Sequence, residues 1–272
     1  MLPEVVNNMP WTSGFDIQHS NRKVQVLDSS HGKDTANAVN SAFSEVVTAC
    51  IEQDLFRVLC RQHSEPFAIP GAQYDSPVYI ERFAAALFGV TSRGAHLVAY
   101  YSDESGMKVW IPRRSAHLYT YPSMLDTSVA GGVKSGVSPF QTIVEEANEE
   151  ASLPEALIRE RARCRGAISH MNVTGDDFPG EKGLVTPDFI YVYDLELPQD
   201  VIPRPHDDEV SSFTLMSVEE LKSALLREEF KPDSAAVLVE FLIRHGIITP
   251  ENEPDFVEIN MRLHRRLPFR TG

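Results

Sequence analysis

The chain has 272 residues, of which 42% are hydrophobic, so it is long enough for one large or two small domains with a real core. Its 39 acidic and 25 basic residues give a formal net charge of −14, which argues against nucleic acid and anionic membranes as partners. Three scattered cysteines provide neither a disulfide framework nor a CxxC metal pair, and no stretch resembles a secretory signal or a membrane span. We therefore expect a cytoplasmic protein.

The predicted elements change in character along the chain. Apolar residues at helical spacing run through residues 33–62, and a second helix is predicted to end at Gly89. From about residue 95, short β-rich runs bounded by Gly, Pro and Asp predict a mixed sheet. These runs are AHLVAYYS, MKVWIPRR, LDTSVAGG, CRGAISHMNV and PDFIYVYDLEL. We therefore predict an N-terminal α/β domain over residues 1–94 and a second domain over residues 95–272.

Capping signals mark the helices of the second domain. Ser138 is followed by a proline and, three residues on, by Gln141, which predicts a helix that begins at Pro139. A similar signal at Ser152 predicts the start of the next helix, and Ser217 predicts another. Two more helices are predicted near the end of the chain.

The helix after Pro139 is unusually acidic and follows a glycine-rich stretch, in the segment GGVKSGVSPFQTIVEEANEEASLP. On a helical wheel its apolar residues occupy one arc of roughly 100° and four glutamates lie opposite. The like charges at i,i+4 destabilise the helix by roughly a few tenths of a kcal/mol each, and the helix dipole disfavours them near its C-terminal end. A solvated acidic face is one interpretation, and a cation site is the other. The four residues are Glu145, Glu146, Glu149 and Glu150.

Several hard oxygen ligands without histidine or cysteine suit Mg²⁺, or Mn²⁺, better than zinc. Such ions are most useful where a diphosphate is held and cleaved. The acidic helix and its glycine-rich approach therefore favour a diphosphate as the ligand.

The order of these residues resembles the Nudix box. The matching positions are Gly131, Val137, Glu145, Glu146, Ala147, Glu149, Glu150, Ser152 and Leu153. The three glutamates that bind metal in the family match. By contrast, Val137 stands where the box has glutamate, Glu145 where it has arginine, and Ser152 where it has glycine. Loss of the arginine makes the predicted site more negative than is usual in the family.

Longer segments resemble a narrower group, the fungal and plant Nudix branch related to the hydrolase portion of fungal thiamine pyrophosphokinase. Among them are WIPRRSAHLYTYPSMLD, EEASLPE and EEFKPDSAAVLVEFLIRHGIITPENE. The resemblance implies an α+β protein: a Nudix α/β/α sandwich with a mixed sheet, preceded by a smaller α/β domain and followed by C-terminal helices. It also implies hydrolysis of damaged thiamine diphosphates to monophosphates, and it is compatible with a homodimer.

The resemblance assigns roles to individual residues. Glu146, Glu149 and Glu150 bind one or more Mg²⁺ ions, with the backbone carbonyl of Gly131 or Gly132 as a further ligand beside the bound phosphates. Glu146 or Glu149 also orients the attacking water.

Four residues outside this helix are further candidates. Glu209, in the loop PHDDEVSS, is a candidate base or additional ligand, although a plain surface turn is the competing interpretation. Arg113 and Arg114 follow an apolar strand, so one should face the ligand and the other solvent, and either is a candidate phosphate clamp. Tyr121 is a candidate for stacking on a substrate ring, although strand aromatics more often pack in a core.

These observations predict a Mg²⁺-dependent pyrophosphohydrolase that cleaves a small organic diphosphate, thiamine-diphosphate-like or nucleotide-like, to a monophosphate and phosphate. Two alternatives stay open on sequence grounds. One is a diverged enzyme of fungal specialised metabolism that acts on a prenyl, terpenyl or other organic diphosphate. The other is a diphosphate-binding module without catalytic activity.

Overall fold

The computed structural model describes residues 1–61, 63–176 and 178–268. Before residue 92 it contains two antiparallel strand pairs and three α-helices within these ranges. The strands are β1 (Phe15–Gln18), β2 (Lys23–Val26), β3 (Pro66–Ala68) and β4 (Tyr79–Glu81), paired β1 with β2 and β3 with β4. The helices are α1 (Pro3–Asn8), α2 (Thr35–Glu52) and α3 (Ala85–Phe88).

This N-terminal part has a hydrophobic cluster of its own, built around Phe43 and Val46 of α2. Leu184, from the loop between two strands of the second part, also packs into that cluster. The helix predicted to end at Gly89 does end there, with Gly89 in the left-handed conformation, but only its last turn is α-helical. The preceding residues form β4 and a 3₁₀ turn, because the run Val78, Tyr79 and Ile80 after a proline favours extended backbone. The division into two domains stays a prediction.

The remaining strands form one six-stranded mixed sheet. They are β5 (Ser92–Asp103), β6 (Gly106–Arg114), β7 (Val129–Gly132), β8 (Arg163–Val173), β9 (Val185–Glu196) and β10 (Val210–Ser217). Their order is β10–β6–β5–β9–β8, and β5 runs parallel to β9. Along its other edge β5 pairs with two strands: β7 pairs with Gly94–Leu97 of β5, and β6 pairs with Tyr100–Asp103 of β5. The predicted mixed sheet is therefore confirmed.

Helices cover both faces of this sheet. One face carries α4 (Pro139–Ala151) and α5 (Glu155–Arg161), and the other carries α6 (Val218–Leu226), α7 (Pro232–Arg244) and α8 (Phe256–Leu263). Alternation along β5 sorts its side chains between the two cores: Leu97 packs in the core under α4, whereas Val98 packs in the core under α7. The arrangement is an α/β/α sandwich, which confirms the predicted fold class. Throughout the described part of the chain, every helix is too short or too polar to traverse a lipid bilayer.

The acidic helix α4 begins as predicted and ends differently. The hydroxyl of Ser138 accepts a hydrogen bond from the backbone N–H of Gln141 at 3.1 Å, so the predicted N-terminal cap is present. Ser152, predicted to start the next helix, instead ends α4 in a left-handed conformation with φ of 55°. Pro154 disfavours helical backbone at Leu153, the residue before it, so a helix cannot begin directly after Ser152, and α5 begins only at Glu155.

Candidate active site

The C-terminal half of α4 lies against β7, and this contact places the acidic side chains. Glu150 is 7% exposed, and its Oε2 accepts a hydrogen bond from the backbone N–H of Ala130 at 3.0 Å. Glu146 is partly buried, whereas Glu149 is exposed. Glu150 is therefore hydrogen-bonded to the sheet, Glu146 is partly buried on the same helix, and Glu149 is open to solvent.

Gly131 allows β7 to approach this helix closely. A Cβ atom at this position would lie 2.4 Å from both Cγ and Oε1 of Glu146, which no real contact permits. Because glycine has no Cβ, the backbone of β7 can pass directly beside the Glu146 carboxylate. The glycine predicted to open the box is therefore required by the position of a glutamate fifteen residues later.

Burial, together with the charges of neighbouring carboxylates, raises the pKa of two glutamates on α4. Burial, together with the nearby charges of Glu149 and Glu209, raises the pKa of Glu146 to about 7. Burial and the charge of Glu146 raise the pKa of Glu150 well above its usual value. A divalent cation would relieve this repulsion, so the charge and oxygen chemistry of the three glutamates fit Mg²⁺ or Mn²⁺.

The acidic side chains are too far apart to form a closed metal site without rearrangement. In the described ranges, no three histidine, cysteine or acidic side chains converge closely enough to form a ready-made metal cage. Binding of a cation would have to draw Glu146, Glu149 and Glu150 toward one another.

Glu209 lies beside this helix, although it is far away in sequence. The loop before β10 docks on the C-terminal end of α4: the backbone N–H of Asp207 donates to the carbonyl of Glu149 at 3.0 Å, and that of Arg204 donates to the carbonyl of Ala151 at 3.0 Å. These bonds hold Glu209 close enough for its charge to raise the pKa of Glu146. The structure thus places Glu209 near Glu146, and its role as a base or ligand stays a prediction.

The two arginines have different surroundings, as the alternation along β6 predicts. Arg114 is largely buried, and its guanidinium donates to the Asp126 carboxylate at 3.1 Å and to the backbone carbonyls of Thr120 and Tyr121. Arg113 is exposed and donates to the carbonyl of Ser123 at 2.7 Å. Arg114 therefore fixes the segment after β6, and a phosphate-binding role for either arginine stays a prediction.

A cavity of about 680 Å³ lies along this segment. Tyr121 is one of its walls, and burial together with the charge of Asp233 raises the pKa of its hydroxyl. The other aromatic and proline residues that line it are Tyr119, Phe178, Phe230, Pro122, Pro179 and Pro232. Flat, rigid walls of this kind are suited to an organic ring.

A polar cluster next to Tyr121 was not predicted from the sequence. Asp233 Oδ2 lies 3.0 Å from Lys231 Nζ and 3.8 Å from Nε2 of His96. Burial and the Asp233 charge raise the pKa of Asp188 to about 7. His170 Nε2 lies 3.7 Å from Asp188, and neither of its ring nitrogens has a hydrogen-bond partner among the described residues. The pairing of β8 with β9 brings His170 opposite Asp188, so no sequence pattern predicts this contact.

Comparison of the sequence with known proteins shows the family of this chain. The family model described as NUDIX domain matches residues 92–241. The chain belongs to the Nudix family. The uncharacterized Saccharomyces cerevisiae protein YJR142W is 44% identical over 200 residues, which cover 71% of this chain and 58% of that protein. Nudix hydrolase 20, chloroplastic, of Arabidopsis thaliana is 36% identical over 196 residues, or 71% of this chain and 50% of that protein.

The chain therefore spans between half and three fifths of the length of these curated relatives. A crystal structure of DR0079 from Deinococcus radiodurans matches 65% of this chain and 98% of its own, with a TM-score of 0.48 and 23% identity. The narrower thiamine-related branch is not decided by these likenesses.

The structure shows which contacts two of the three unusual box residues make. Ser152 keeps the left-handed backbone that the family glycine favours, and its hydroxyl donates to the carbonyl of Arg204 at 3.0 Å. Glu145, in place of the family arginine, accepts a hydrogen bond from the side chain of Gln141 at 2.9 Å. Nothing in the structure explains why Val137 replaces a glutamate.

The raised pKa of Glu146 predicts how stability depends on pH. Because this pKa is about 7 in the folded protein and ordinarily 4.5, the folded state holds the proton more tightly than the unfolded state. The associated stability is present below the ordinary pKa and is lost as the pH rises to about 7. We expect the melting temperature of the metal-free protein to fall from pH 5 to pH 8 more steeply in the wild type than in Glu146→Gln.

Scanning calorimetry across this range measures the difference. Added Mg²⁺ should restore the wild type more at pH 8 than at pH 5, because protons compete with the cation. Equal slopes for the wild type and the variant would contradict the assignment of a shifted Glu146.

Proposed function

We propose that this protein is a Mg²⁺-dependent pyrophosphohydrolase that cleaves an organic diphosphate to a monophosphate and phosphate. The observation that carries the proposal is the contact between α4 and β7, which places Glu146 and Glu150 against β7, with Glu149 on the same helix, in a chain of the Nudix family. The name of the Arabidopsis relative, a Nudix hydrolase, supports hydrolysis as the reaction.

In this proposal the three glutamates hold the cation, together with the carbonyl of Gly131. When bound, Mg²⁺ neutralises diphosphate oxygens and lowers the pKa of a coordinated water. Glu149, which is exposed, or Glu146 accepts the proton of the attacking water, and Glu209 is close enough to assist as a base. Water adds to phosphorus, the bridging P–O bond breaks, and the leaving oxygen ends on the monophosphate or phosphate product.

The cavity supports a substrate that carries a ring. Its aromatic and proline walls suit a flat group, and Tyr121 connects it to the cluster of Asp188, Asp233 and His170. A thiamine-like or nucleotide-like ring offers a flat face to these walls and hydrogen-bonding groups to the Tyr121 hydroxyl, whereas a prenyl chain offers neither. This favours a ring-bearing diphosphate, including the thiamine-type compounds of the resembled branch.

Phosphate release with Mg²⁺ across thiamine, nucleotide and prenyl diphosphates tests the proposal. We expect the highest kcat/KM for a ring-bearing compound. A preference for prenyl diphosphates would overturn the substrate class. Tight binding of a diphosphate without turnover would overturn the enzymatic function and favour the binding-module alternative.

A variant that fills the cavity tests where the ring lies. Ala235 on α7 lines the cavity, so Ala235→Phe should raise KM for the preferred ring-bearing diphosphate about tenfold and leave kcat nearly unchanged, because ground state and transition state lose the same contact. Ser223→Phe, at an exposed position of α6 that does not line the cavity, is the matched control. An unchanged KM in a folded Ala235→Phe protein would place the ring elsewhere.

A further inference from the structure

The N-terminal part of the chain contacts the loop between β7 and α4, which carries the first half of the Nudix box. The backbone N–H of Ser135 donates to the carbonyl of Pro66 at 2.7 Å. The ring of Phe67 lies under Gly132, where an added Cβ would be 2.7 Å from Cζ of that ring. Strand β3 therefore supports the box loop by a backbone bond and by a close contact that needs glycine.

An ion-pair chain accompanies this contact. Lys134 Nζ lies 3.3 Å from Oε2 of Glu65, and Oε1 of Glu65 lies 2.8 Å from a terminal guanidinium nitrogen of Arg82. The Glu65 side chain is 19% exposed, whereas that of Lys134 is 43% exposed. Glu65 is thus anchored by Arg82 on one oxygen and holds the lysine of the box loop with the other.

Lys134 brings positive charge to a site that lacks the arginine of the box. The charge of Glu65, followed by those of Glu146 and Glu145 on α4, raises the pKa of the Lys134 ammonium. The ammonium therefore lies near the carboxylates of α4 as well as near Glu65. Glu145 occupies the position where the family has arginine, and Lys134 on the preceding loop carries a positive charge near it. Because Lys134 is partly exposed, its ammonium retains donors that face solvent beside the carboxylates.

We propose that Lys134 binds a phosphate oxygen of the diphosphate substrate, and that Glu65 and Arg82 are positioning residues that hold it there from the N-terminal part of the chain. The inference rests on the proposed diphosphate hydrolysis for its substrate. A phosphate group is the chemistry that matches a loop ammonium next to a glycine-rich backbone and a predicted cation site. The N-terminal part then forms one wall of the active site.

The test compares four variants. Lys134→Met removes the charge, Lys134→Arg preserves it, and Glu65→Gln weakens the positioning contact. Lys108→Met is the matched control, because Lys108 forms an ion pair of 3.5 Å with Asp103 at a similar exposure of 33% and lies on the β5–β6 hairpin. For each variant kcat, KM and the affinity for inorganic pyrophosphate with Mg²⁺ are measured, with melting temperature as the check on folding.

We expect Lys134→Met to raise KM and weaken pyrophosphate binding about ten- to a hundredfold, as for the loss of a hydrogen bond to a charged group. Lys134→Arg should recover most of that loss, Glu65→Gln should raise KM by less than Lys134→Met, and Lys108→Met should match the wild type. If Lys134→Met lowers only the melting temperature and leaves KM and pyrophosphate affinity unchanged, Lys134 is a structural tether and the proposal is overturned.

The pyrophosphate titration separates this proposal from the proposed function. If the wild type cleaves no diphosphate yet binds pyrophosphate through Lys134, only hydrolysis is rejected. If the wild type cleaves diphosphates and Lys134→Met does so with the same KM and pyrophosphate affinity, only the role of Lys134 is rejected.

Discussion

Replacement of Glu149 by glutamine is expected to lower kcat/KM for the preferred diphosphate by about 10²–10⁴-fold, the range for loss of a positioned acid–base group. Glu149 is exposed, so the change should leave the fold intact. The variant keeps the size of the side chain and removes the charge that would bind the cation or accept a proton from water. Initial rates at saturating Mg²⁺ measure the effect.

Glu145→Gln provides the matched control for this experiment. It makes the same chemical change on the same helix, but Glu145 is bonded to Gln141 and stands where the Nudix family has arginine. We expect kcat/KM of this variant to stay within about threefold of the wild type, because glutamine can keep the hydrogen bond to Gln141 and the lost charge is partly exposed. Full activity of Glu149→Gln would show that the metal and base assignments on α4 are wrong.

Addition of a single methyl group at Gly131 should also abolish most activity. The new Cβ of Gly131→Ala would overlap the carboxylate of Glu146, so the side chain or β7 must move. A displacement of about 1 Å in a catalytic group can lower the rate about 10²-fold, which is the loss in kcat/KM we expect. Titration calorimetry with Mg²⁺ should show weaker binding in the same variant.

Gly175→Ala is the control for the general effect of replacing a glycine. Gly175 has open space around its Cα and no left-handed backbone, so an added methyl group should change neither activity nor melting temperature. If Gly131→Ala kept wild-type activity, the Glu146 carboxylate would not act in the reaction from its position beside Gly131.

Local signals in the sequence predicted the elements that depend on local contacts. The cap at Ser138 fixed the start of α4, and the five β-rich runs correspond to β5 through β9. The same kind of signal was wrong at Ser152, because a serine followed by proline and glutamate fits a helix start, whereas the backbone uses this serine to end the previous helix. A capping pattern shows that a side chain is able to form a capping hydrogen bond. It does not show whether that residue lies at the start of one helix or at the end of another.

The candidate site was likewise predictable from the sequence only in part. The spacing of Glu146, Glu149 and Glu150 predicted one acidic helix beside a glycine loop, and the structure shows that arrangement. The burial of Glu150 was not predictable from a wheel that placed all glutamates opposite the apolar arc, because its partner is a backbone N–H of another element. The contact of Glu65 with Lys134 joins distant segments of the chain, so it depends on tertiary packing alone.

The turn at Ser152 has a consequence for how such proteins are recognised. A signature that insists on glycine at the end of the acidic helix would pass over this chain, although its backbone has the very shape that the glycine marks. A left-handed serine destabilises the turn by about 1 kcal/mol, and here the residue offers an anchor that glycine lacks. Because the partner is a backbone carbonyl, which any residue at position 204 supplies, serine can take this place wherever the loop before β10 docks on the end of α4.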